Sequence, residues 1–187
     1  MNNQSLTDTL AERQTLEKRY NGARNNLLLV VVFSAVNVIL SVLNSFSYFL
    51  FSASVPYMLA DLGRYICGRY PEEYYEDVEV YEFFPDTVFW VMIAISAVII
   101  AMYLLAYIFS KKNRVGWLIF ALVFFALDTV TMFLYFGISV DILMDIVFHI
   151  WVLVSLFMGV FSHYKLKKLP PVLEPEAEPA AVTEENE

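Results

Sequence analysis

The chain has 187 residues, 59% of them hydrophobic, and a formal net charge of −8. Soluble domains are about 45–50% apolar, so this composition, with a mean hydropathy of +0.58, excludes an ordinary soluble domain and points to the membrane. One cysteine, Cys67, excludes an internal disulfide and a paired-thiol relay, and the few bases flank apolar runs, which excludes nucleic-acid binding.

Residues 1–25 are polar and mixed in charge, and read as a short solvated cytoplasmic leader with at most a weakly amphipathic helix around Leu6, Leu10 and Leu16. The apolar run that follows is expected to insert and stay, because the polar stretch before it does not resemble a signal peptide. This first span is expected over about 26–51. Its polar residues Ser34, Asn37, Ser41 and Asn44 stand at i, i+3, i+7 and i+10, with Tyr48 continuing the series. A stripe that narrow must face protein rather than lipid.

An outer loop is expected over 52–86. Ser54-Val55-Pro56 reads as a helix start, and Val55, Leu59, Leu62 and Ile66 recur at helical spacing opposite Asp61 and Arg64. That pattern predicts a short amphipathic helix lying on the outer face or capping the bundle. The rest of the loop is acidic and aromatic. Glu72, Glu73, Glu76 and Asp77 head a solvated cap that can attract cations, although no cation-ligand spacing is present.

Further spans are expected at 87–110, 115–137 and 140–164, followed by a basic and then acidic, proline-rich tail over 165–187, expected to be disordered. The bases Arg13, Lys18, Arg19 and Arg24, then Lys111, Lys112 and Arg114, then Lys165, Lys167 and Lys168 all fall on one side of a four-span arrangement. The positive-inside rule places that side, with both termini, in the cytoplasm. The expected fold is therefore an all-α, integral-membrane bundle of four transmembrane helices with a short amphipathic outer helix.

The third and fourth spans form a hairpin, and each carries an ionisable residue at mid-depth. Asp128 lies ten residues before Ile138 and His149 eleven after it, so the two come level at about 1.5 Å per residue. Asp141, Asp145 and His149 share one face of the fourth span, Thr131 is level with Asp145, and Asn37 reaches a similar depth on the first. Asn37, Asn44, Asp128, Thr131, Asp145 and His149 thus form an expected polar column. Such a column either fastens the bundle, with Asp128 bonded to His149 and Asn37, or carries protons, or holds a cation, or forms a pocket for a ligand or partner.

Four spans with a larger first outer loop resemble the layout of claudins. That family's loop has a tryptophan motif and paired cysteines, whereas this loop has no Trp and only Cys67, so no family is assigned. No GxSxG, HExxH or glycine-rich phosphate loop occurs, and neither enzyme activity nor a cofactor is expected. The expected role is a binding or accessory protein of the cell membrane, of bacterial character, partnered by the lipid bilayer and by another copy or another membrane protein. A proton- or cation-coupled transporter using Asp128 and His149 is the alternative.

Overall fold

Long apolar runs offer the backbone few side-chain partners, and a helix satisfies its hydrogen bonds within the segment itself. The computed structural model describes residues 3–76, 82–111, 114–137, 140 and 142–170. They form α1 (Asn3–Val42), α2 (Ser54–Ile66), α3 (Asp86–Phe109), α4 (Val115–Phe136) and α5 (Leu143–Leu166), with a single 3₁₀ turn at Glu72–Tyr74. All of these helices except α2 are long and apolar enough to cross a membrane. No strand occurs among the described residues.

The long helices close into a ring. α1 packs on α3 and α5, and α4 packs on the same two. The Tyr20 hydroxyl midway along α1 donates to the Ser110 carbonyl beyond the end of α3 at 2.7 Å, and Arg24, one turn further along α1, donates to the Tyr107 carbonyl, one turn further back on α3, at 3.2 Å, so the two helices run antiparallel. Leu27, Val30, Leu118, Phe125, Val152 and Leu156 fill the ring. α3 is the most peripheral: 17% of its most apolar stretch is buried, against 39% for α1.

α1 departs from expectation at both ends. The stretch read as a solvated leader belongs to one continuous helix of 40 residues. Leu16, Tyr20, Ala23 and Leu27 are all buried, because they recur at i, i+4, i+7 and i+11 and carry the core stripe out of the apolar run. At the other end the helix stops at Val42, well short of residue 51. Asn44 then takes a left-handed φ of 56°, which Asn tolerates better than most residues. The chain folds back along α1, and Phe51, at φ 69°, turns it again into α2.

α2 does not lie on the surface. Its first residues start inside the bundle, and it packs against α3, α1 and α4. The stripe Val55, Leu59, Leu62 and Ile66 is only half-buried, whereas Pro56, Ala60 and Gly63 are fully buried. Small residues permit close approach to α3: a Cβ at Gly63 would meet the Met92 sulfur at 3.1 Å and the Phe89 ring at 3.3 Å. From α2 the chain passes to α3 through an Ile66 carbonyl accepting from the Phe84 amide at 3.0 Å and an Arg69–Asp86 ion pair at 3.0 Å.

The tightest seam is between α1 and α5. A Cβ added at Gly159 would stand 2.5 Å from the Ala23 Cβ and 3.0 Å from a Leu118 methyl, so no side chain fits without separating the helices. Gly159→Ala is expected to lower stability by about 1–3 kcal/mol, the usual cost of overpacking. Thermal unfolding of the detergent-solubilised protein, followed by tryptophan fluorescence, measures this. Ala23→Gly in the same chain should restore most of the loss, and additive losses would disprove the contact.

Candidate functional site

The folded-back segment, residues 43–53, is held by side chains where a sheet would use a neighbouring strand. Asn37 Nδ2 donates to the Phe49 carbonyl and Asn37 Oδ1 accepts from the Phe49 amide, both at 2.8 Å. One amide side chain thus satisfies both backbone groups of Phe49. Asn37 Nδ2 also donates to Ser52 Oγ at 2.9 Å, and Ser34 Oγ accepts from the Ala53 amide at 2.8 Å.

α2 then begins on Asp128. The Ser54 amide donates to Asp128 Oδ2 and the Val55 amide to Asp128 Oδ1, both at 2.9 Å. The first N–H groups of a helix have no partner within it and carry the positive end of its dipole. α2's own N-cap position, Ala53, makes no side-chain cap bond, so α4 provides the cap. Asp128 lies eight residues before the end of α4, and Ser34 eight before the end of α1. Each is therefore about 12 Å inside its helix end, at 1.5 Å per residue. Two independent helices place the start of α2 at one depth.

His149 completes the group. Its Nδ1 lies 2.8 Å from the Asp145 carbonyl, which can only accept, so Nδ1 carries a proton. Nε2 lies 3.2 Å from Ser54 Oγ and 3.3 Å from Asp128 Oδ2. The ring is fully buried and stacks on Phe125 at 4.9 Å, with Phe148 edge-on at 5.8 Å.

Asp128 and His149 therefore meet, but Asn37 serves residues 49 and 52 rather than Asp128. Asp145 is half-buried, and its Oδ1 accepts from the Tyr48 hydroxyl at 3.2 Å. Thr131 and Asn44 do not join the group. Thr131 is exposed and its hydroxyl returns to the Leu127 carbonyl at 2.9 Å, while Asn44 is exposed in the turn after α1. Glu72, Glu73 and Glu76 are exposed; Asp77, Asp141, the 138–139 turn and the tail beyond residue 170 lie outside the described residues. Among the described residues no three His, Cys, Asp or Glu side chains gather as metal ligands, since the Asp145 carboxylate and the His149 ring point to different partners.

Two cavities flank the group. One of 180 Å³ is lined by Tyr48, Ser54, Tyr57, Met132, Phe136, Ile142 and Asp145. A second of 320 Å³ lies between α2, α3 and α4, with Asp128, Tyr103 and Thr131 in an apolar wall. Below this level, toward the start of α1, the ring interior is the apolar cluster of Leu27, Leu118, Phe125, Val152 and Leu156.

Sequence reasoning set Arg64 on a solvated face, yet it is buried. Its Nη1 donates to the Ser45 carbonyl at 3.0 Å, and its guanidinium stands 4.6 Å from the Tyr70 ring and 5.1 Å from that of Phe46. Tyr70 in turn donates to Asp61. Burial first, and then that bond and the Asp61 charge, hold the Tyr70 phenol above its ordinary range. The density of aromatics in 46–75 was the available signal, since buried Arg favours aromatic faces.

Comparison of the chain with protein-family models, with curated proteins and with solved structures finds no match.

Asp128→Asn replaces one accepting oxygen with an NH₂ facing a backbone N–H, and Asp128→Leu removes both acceptors. Each unmet buried amide costs about 1–3 kcal/mol. Amide hydrogen exchange over residues 52–60 is expected to rise in the Asn variant and further in the Leu variant, with α5 unaffected. Equal protection in all three proteins would show that α2 does not depend on Asp128.

Proposed function

We propose that this protein is a four-span protein of the cell membrane, of the binding or accessory class, in which the buried polar group holds a re-entrant α2 and the cavity beside it takes the ammonium group of a small organic cation. One observation carries this reading. Both oxygens of Asp128 and both ends of the Asn37 amide are taken up by the backbone of residues 49–55, whereas the Asp145 carboxylate lines the 180 Å³ cavity beside Tyr48 and Tyr57. A carboxylate with aromatic neighbours on an apolar floor is the chemistry that recognises an amine. The exposed acids Glu72, Glu73, Glu76 and Glu82 at the same end raise the local cation concentration.

The lipid bilayer is the environment of this proposal, with both termini on the cytoplasmic face where Arg13, Arg24, Arg114 and Lys165 gather. Another copy or another membrane protein is the expected partner. Coupled transport is the second reading. It is favoured by the contact from the cavity wall at Ser54 to His149 and on to Asp128, a chain of groups able to pass a proton.

With purified full-length protein in detergent, n-butylammonium is expected to raise the thermal midpoint while n-butanol does not, and Asp145→Asn should abolish the difference. Equal effects of amine and alcohol would refute the pocket. Proton movement in proteoliposomes that requires both an amine gradient and His149 would move the assignment to transport. For topology, a membrane-impermeant maleimide applied to intact cells should label Glu73→Cys and leave Thr15→Cys unlabelled; the opposite pattern would reverse the orientation.

A further inference from the structure

At the end of the bundle remote from α2, the seam between α1 and α5 opens into a cavity of 280 Å³ lined by Arg13, Glu17, His163, Leu166 and Lys167. That is at the lower edge of small-ligand pockets, a size for a head group rather than a large metabolite. His163 is 4% exposed. Among the described residues neither of its ring nitrogens has a hydrogen-bond partner, and Arg13 Nε is buried without one as well. The imidazole is steadied by Tyr20 and Tyr164, whose ring centres lie at 5.9 Å and 5.8 Å, but neither contact meets its polar atoms. Arg13 Nη2 donates to the Pro170 carbonyl at 3.0 Å, which ties the chain after α5 to α1 beside the cavity.

Unmet buried nitrogens are costly, and native proteins place them where something else supplies the partner. Arg13 and Lys167 bring two positive charges, and His163 adds a donor, so the matching group is an oxyanion with several acceptor oxygens. A bare dianion does not fit, because the Glu17 carboxylate shares the wall. Glu17 matches an ammonium instead, and the second imidazole nitrogen can accept from one. The wall therefore reads as two adjoining half-sites of opposite sign.

We propose that this cavity binds a phosphoethanolamine group, with its phosphate on Arg13, His163 and Lys167 and its ammonium on Glu17. The cavity sits where α5 ends and α1 runs on past it, beside Lys165 and Lys168, which is the level of the lipid head groups if the bundle spans the membrane. The source is then phosphatidylethanolamine of the bilayer, a step that rests on the membrane reading above; the same chemistry could come from a soluble phosphoethanolamine ester.

Native mass spectrometry of the full chain, released from detergent containing equal amounts of phosphatidylethanolamine, phosphatidylcholine and phosphatidylglycerol, tests this. Phosphatidylethanolamine should be retained about tenfold over phosphatidylcholine, whose quaternary nitrogen cannot donate to Glu17, and one charge-assisted bond is worth about that factor. Glu17→Gln should move the preference to phosphatidylglycerol. Arg13→Gln with Lys167→Gln should reduce retention of every lipid by about tenfold or more, while Lys18→Gln, outside the cavity, should change nothing. Equal retention of the three lipids by the unaltered protein, or an unchanged order in Glu17→Gln, would overturn the proposal. Glycerophosphoethanolamine distinguishes the sources. Displacement of bound lipid by it supports recognition of the head group, whereas binding of it with no lipid retained would keep the site and overturn its membrane source.

Discussion

The carboxylate of Asp128 decides the architecture, because it allows a helix to begin in the buried interior of the bundle. The first amides of α2 need acceptors and the helix start carries partial positive charge. One side chain from α4 answers both needs with two bonds of 2.9 Å. An apolar residue at that position would leave two buried backbone donors without acceptors, at about 1–3 kcal/mol each. The re-entrant segment, the cavity it shapes with Tyr57 and Asp145, and the position of His149 all follow from that cap.

Around it the interior divides into halves with different physics. On the α2 side, polar side chains of α1, α4 and α5 act as substitutes for a missing strand and a missing cap. On the other side, Leu27, Val30, Leu118, Val152 and Leu156 pack without polar atoms, and the Ala23–Gly159 approach draws α1 and α5 together. Small residues at such a contact let backbones approach closely, which is how helices associate where water supplies no hydrophobic drive. An apolar middle layer therefore separates the polar group under α2 from the charged cavity at the far end of α1 and α5.

Much of this was legible in the residues. The apolar runs that became α3, α4 and α5 have few polar interruptions, and counting along a hairpin was enough to set Asp128 level with His149. The stripe Ser34, Asn37 and Ser41 was legible as a face turned inward, but its purpose was not. Ser34 and Asn37 serve backbone groups of residues 49–53, while the buried Ser41 hydroxyl has no hydrogen-bond partner among the described residues; backbone groups leave no mark in side-chain composition. Residues 43–53 contain Leu43, Phe46, Tyr48, Phe49, Leu50 and Phe51, so hydropathy ran straight through a place where the helix had already ended. The opposite error occurred before residue 26, where Glu and Arg on the outer face of α1 concealed a core stripe of Leu16, Tyr20 and Ala23. Arg64 was misplaced because its burial depends on Phe46 and Tyr70, which lie on either side of it in the sequence and meet it only in the fold.

The cap on α2 also sets an order of assembly. Ser34 and Asn37 precede the segment they hold by fewer than twenty residues, so that hairpin can form as soon as it is synthesised. Asp128 follows Val55 by 73 residues and exists only after α3 and most of α4 have left the ribosome. Until then the first amides of α2 lack the acceptors that the finished fold gives them. The cap on α2 is thus completed only after α2 itself and α1 and α3, on which it also packs, have been synthesised.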